Sequence, residues 1–187
     1  MKAEEFVNKI NNLRKSLDYF NHFSENITSD IKNENKYFSD KEFNDEFVRR
    51  SCVIGTYFST NDKKVKSRHE IDNLISNFKN ENIFRLLNGV SFFNEILIFD
   101  QLFIFGNLDS YICYNNVGEV SWHDLDTLEL KCKISNSPES FLDCMYELAN
   151  NNINRSLTNI DLLNKLLNLS GEKESEVFYK YLLGIDD

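Results

Sequence analysis

Between Glu95 and Ser135 the chain carries five short runs rich in Ile, Phe, Tyr and Val: EILIFD, LFIFG, SYICYN, GEVSWHD and LELKCKIS. Turn-forming residues separate them, namely Asp100-Gln101, Gly106-Asn107, Asn115-Asn116 with Gly118, and Asp124 to Thr127. Breaks this short can close hairpins, whereas a parallel crossover consumes about a dozen residues or more. The pattern therefore predicts a meander of four or five strands in an antiparallel or mixed sheet.

Helical signals flank this stretch. Phe6, Ile10, Leu13, Leu17 and Phe20 recur at steps of four and three, which stacks them on one face of an opening helix. Residues 24–36 are polar and read as a loop, and residues 41–50 suit a short second helix through Phe43 and Phe47. Cys52 to Ser59 reads as a strand followed by a solvated turn. Ser67 with Glu70 forms a capping-box pattern ahead of Ile71, Leu74, Ile75 and Phe78, and Asn88-Gly89 marks a stop after a short helical turn. After the meander, Ser137 and Pro138 suit the first positions of a helix whose stripe is Phe141, Leu142, Met145 and Leu148. Thr158 with Asp161 opens another, carrying Leu162, Leu163, Leu166 and Leu167. Glu172, Glu174 and Glu176 precede a last one with Val177, Phe178, Tyr181 and Leu182 on its apolar side and Gly184 at its end. Helices before and after one sheet make an α+β chain. Residues 1–155 read as one α+β domain and 156–187 as a helical extension packed on it.

Charge is unevenly spread. Formal net charge is −9, and residues 95–150 hold ten acidic residues against Lys131 and Lys133 alone. Such a field repels nucleic-acid phosphates and anionic membranes and steers a basic partner inward. No apolar run is long enough to span a bilayer, and the first residues lack the apolar core of a secretory signal. A cytoplasmic protein is expected. Cys52, Cys113, Cys132 and Cys144 are far apart with no paired spacing, so reduced core thiols are expected rather than a zinc site.

Catalytic signatures are missing from the sequence. No GxSxG elbow, Walker loop, dinucleotide glycine pattern or HExxH is present, and the six glycines are isolated. His22 and His69 sit at ordinary helix-end positions. His123 neighbours Asp124, and a histidine beside a carboxylate could act as a base. Adjacent strand residues point to opposite faces, however, which argues against that pair. Asp109, Asp124, Asp126 and Glu129 lack the alternating oxygen spacing of a calcium loop. The chain reads as a non-enzymatic binder with no cofactor and no metal. Trp122 suits either the core or an interface anchor.

The segment from Phe103 to Leu148 resembles the C-terminal half of the SUKH superfamily, the Smi1/Knr4-like proteins. The residues that carry the likeness are Gly106 ending a strand, Asp109 with Tyr111 and Ile112, Gly118 with Val120, and Asn136-Ser137 leading to Phe141 and Leu142. The last of these is most like the SUKH-4 immunity subgroup. The resemblance implies an α+β fold, no shared catalytic residue, and a bacterial immunity protein that neutralises a polymorphic toxin, of nuclease or deaminase type, by binding it. Eukaryotic relatives imply the alternative of a regulatory or scaffold protein. An acidic surface meeting a basic toxin cleft would use Asp109, Glu119, Asp124, Asp126 and Glu129, with Trp122 as the anchor.

Overall fold

The computed structural model describes residues 1–13, 57–60, 67 and 69–185. The expected loop at 24–36, the helix at 41–50, the strand residues 52–56 and His22 lie outside the described residues.

Helix α1 covers residues 3–13, with Phe6, Val7 and Ile10 buried as the four-three spacing requires. Strand β1 (Tyr57–Thr60) pairs antiparallel with β2 (Phe78–Glu81), which directly follows α2 (Glu70–Asn77). A 3-10 turn (Ile83–Arg85) leads to Gly89, whose φ of 97° and amide bond to the Phe84 carbonyl (2.8 Å) close it. The meander then follows as β3 (Ser91–Phe99), β4 (Leu102–Asn107), β5 (Tyr111–Tyr114), β6 (Val120–His123) and β7 (Leu130–Ser135). Each strand pairs antiparallel with the next, in the order β3-β4-β5-β6-β7. Three helices complete the chain: α3 (Pro138–Asn154), α4 (Asn159–Ser170) and α5 (Glu176–Leu183). This is the expected α+β architecture, and the sheet is antiparallel throughout.

Alternation decides which residues enter the core. Ile112, Tyr114, Val120, Trp122, Cys132 and Ile134 point to one face, where α1, α3 and α5 cover them. Phe141 of α3 meets Phe105 edge-on at 5.5 Å and Phe92 at 6.4 Å, and Phe6 of α1 meets Phe92 at 6.4 Å. Each such fully buried aromatic contributes on the order of 1.5–3 kcal/mol from area burial. Helices α4 and α5 share this core rather than lying outside it. Leu162, Leu166, Phe178 and Tyr179 belong to the same buried cluster as the sheet.

Several local expectations change. The capping box at Ser67 is not formed, because α2 begins after His69 with no side-chain cap. The Ser67 amide instead donates to Asn73 (2.7 Å), and the Glu70 carboxylate accepts from the Ala3 amide of α1 at 2.8 Å. A tertiary contact has taken the group that a local cap would have used. Phe78 remains in the core but begins β2, where strand pairing replaces the last helical turn. On α5 the buried stripe is Phe178, Tyr179, Leu182 and Leu183, while Val177 and Tyr181 are exposed. By contrast Ser137 does cap α3, accepting from the Ser140 amide at 3.1 Å, and Thr158 caps α4, accepting from the Asp161 amide at 3.2 Å.

Candidate functional site

Strand register decides which acidic residues share a surface. Tyr111 pairs with His123, so the β4–β5 loop carrying Asp109 and the β6–β7 loop carrying Asp124, Asp126 and Glu129 lie at one end of the sheet. Tyr114 pairs with Val120, which sends the turn before Glu119 to the opposite end. Glu119 is therefore separated from the other four. There its carboxylate accepts from Asn115 (2.9 Å) and meets Lys133 at 3.3 Å, and these two partners hold it below its ordinary value.

The four remaining carboxylates are held in different ways. Asp124 folds its own loop: Oδ1 accepts from the amides of Asp126 (3.0 Å) and Thr127 (3.1 Å) and from the Thr127 hydroxyl (3.3 Å). Those bonds to the charged form lower its pKa, the Thr127 and Asp126 amides acting most strongly. Asp109 adopts φ 52°, in the left-handed region that Asp tolerates, and accepts from the Tyr181 hydroxyl of α5 at 2.6 Å. That bond to a carboxylate raises the Tyr181 pKa. Asp126 and Glu129 are exposed at the loop surface.

Lys131 sits among them. Its Nζ donates to Ser110 Oγ at 2.6 Å, lies 3.7 Å from Asp124 Oδ2, and stands 4.8 Å from the centre of the Trp122 ring. It offsets part of the local negative field and leaves Asp126 and Glu129 facing outward.

Trp122 is not a surface anchor. It is 6% exposed, its indole N–H donates to the Leu108 carbonyl at 3.1 Å, and its ring packs on Phe178 (5.5 Å) and Tyr181 (5.2 Å). Position 122 faces inward because Val120 does, and α5 lies over that face. The aromatic group presented at this end is Tyr181, 50% exposed, with Leu125 exposed beside Asp126. The periodicity of α5 had grouped Tyr181 with the core. One signal was available: Val177 and Tyr181 form an i,i+4 pair on the face next to Phe178 and Leu182, and only one of those faces can be buried by a single sheet.

His123 and Asp124 make separate sets of hydrogen bonds. Asp124 is committed to its loop amides, while His123 bonds Ser121 and the Leu128 carbonyl. Among the described residues no cluster of His, Cys, Asp and Glu could hold a metal ion, and no helix is long and apolar enough to cross a membrane. The described cysteines are unpaired and buried, and burial pushes the Cys113 and Cys144 thiols up to about 12. No family model, curated protein or solved structure matches the chain.

Proposed function

We propose that this chain is a SUKH-like immunity protein that binds the basic substrate cleft of a nuclease- or deaminase-type toxin and neutralises it by stoichiometric occlusion. The observation that carries this reading is the gathering of Asp109, Asp124, Asp126 and Glu129 at one end of the sheet beside exposed Tyr181 and Leu125. An aromatic and an aliphatic side chain rimmed by carboxylates suit a cationic partner, with charge accelerating encounter and the apolar groups slowing release. The Asp124 turn and the Asp109–Tyr181 bond hold this surface in one shape before the partner arrives, which lowers the ordering cost of binding.

The test looks for a toxin gene next to this one and mixes the purified chain with the domain that such a gene encodes. A one-to-one complex and rescue of toxin-treated cells are expected. Asp126→Lys with Glu129→Lys should slow association and weaken its salt dependence while leaving the fold intact. Neither complex nor rescue would end the proposal.

A regulatory scaffold that docks through its C-terminal helices is the second reading, and exposed Ile160 and Val177 on α4 and α5 favour it. Deleting those helices would remove Phe178 and Tyr179 from the core, so Ile160→Ser with Val177→Ser is the proper variant. Loss of partner binding by that variant, with the acidic end untouched, would support docking through the helices.

A further inference from the structure

Opposite the helix-covered face, β6 carries two polar side chains in a buried setting. Ser121 is 8% exposed and His123 is 7% exposed, and they point the same way because they are two residues apart on one strand. Ser121 Oγ lies 2.9 Å from His123 Nε2, and His123 Nδ1 lies 2.9 Å from the Leu128 carbonyl oxygen. A carbonyl only accepts, so Nδ1 carries the proton, Nε2 presents its lone pair, and the Ser121 hydroxyl donates to it. This is the order of a nucleophile, a base and a group that fixes the base's tautomer, with a backbone carbonyl in the third place.

Two further features bear on it. Burying two polar groups is unfavourable unless they are satisfied, and an apolar pair would fill this strand face without that requirement. Cys113 on the neighbouring β5 and Ile104 beyond it on β4 do so. Leu128 adopts φ 58°, a left-handed conformation uncommon for a side chain of this kind, and it is Leu128 whose carbonyl meets Nδ1.

We propose that Ser121 is an activated nucleophile toward small activated acyl and phosphoryl esters, with His123 as its general base and Leu128 as the positioning residue. With an ester, Oγ adds to the carbonyl carbon and its proton passes to Nε2. The carbon–alkoxy bond then breaks, and the departing alkoxide takes that proton from the imidazolium. An O-acyl serine and an alcohol result, and water reverses the sequence to free the serine and the acid. With diisopropyl fluorophosphate, an Oγ–P bond forms, P–F breaks, and the proton leaves with fluoride. This reactivity is read out without any binding partner, although Leu128 belongs to the β6–β7 loop that also carries Asp124, Asp126 and Glu129.

The experiment treats the full chain with diisopropyl fluorophosphate and, separately, p-nitrophenyl acetate, followed by intact mass and peptide mapping. A single adduct on Ser121 is expected, absent in Ser121→Ala and formed about 100-fold or more slowly in His123→Gln, the usual scale of base assistance. The urea-unfolded chain serves as a second comparison and should lose the adduct, whether or not His123→Gln folds. No adduct on Ser121, an adduct equally fast in the unfolded chain, or a rate unchanged by folded His123→Gln would overturn the proposal.

Discussion

Replacing Trp122 separates a core role from a surface one. The indole is buried between Phe178 and Tyr181, and its N–H satisfies the Leu108 carbonyl. Trp122→Phe keeps an aromatic ring but leaves that carbonyl without its donor, which costs about 1–3 kcal/mol where the group stays dry. The smaller ring also leaves a void and gives up part of the contact with Lys131. A total of about 2–3 kcal/mol is expected for Trp122→Phe, and about 3–5 kcal/mol for Trp122→Ala. For a chain of this size each kcal/mol lowers Tm by about 2–4 °C, so the phenylalanine variant should melt roughly 4–12 °C below the parent. Urea unfolding followed by circular dichroism gives the free energies. The parent's fluorescence adds a second reading, because Trp122 is the single tryptophan. Its emission should be blue-shifted in the native state and move red on unfolding. Full stability in Trp122→Ala, together with red-shifted emission from the folded parent, would refute the placement of this side chain in the core.

Two further outcomes follow from particular contacts. At Gly106 a Cβ would collide with the Ser91 carbonyl oxygen on the paired strand, so Gly106→Ala should destabilise by about 1–3 kcal/mol or more; an unchanged urea midpoint would contradict that register. At Asp124 the folded-state pKa is depressed below 3.8, so its stabilising contribution is present above that value and lost as pH falls through the folded pKa. Asp124→Asn keeps an acceptor oxygen but not the charge, so the parent should be the more stable at about pH 6 and the gap should close as pH falls through the lowered carboxylate pKa. A gap independent of pH would show that the carboxylate's charge is not what the loop amides hold.

Elements with one dominant local cause were legible in the residues themselves. The meander from Glu95 to Ser135 was, because alternating apolar runs with two- to six-residue breaks leave few pairings other than hairpins. The caps at Ser137 and Thr158 were legible for the same reason, since each hydroxyl meets an amide three residues on. The group at Ser67 and Glu70 had the same pattern and did not form a cap, because the Ala3 amide of α1 offered Glu70 a partner that no local pattern contains.

The sequence by itself determined the class of fold, the location of the negative charge in the stretch from 95 to 150, and the absence of GxSxG, Walker, dinucleotide-glycine and HExxH patterns. Tertiary structure decided which charges share a surface. Antiparallel register places Asp109 beside the Asp124–Glu129 loop and sends Glu119 to the other end, a distinction invisible in a linear count of acidic residues. It also decided that Trp122 is covered and Tyr181 is not, because only the packing of α5 on the sheet selects between neighbouring faces of one amphipathic helix. Strand periodicity, by contrast, already sets Ser121 and His123 on one face of β6. Residues two apart on a strand share a face, and here the Ser121–His123 hydrogen bond joins them, while Asp124 has already left the strand and folds the following loop.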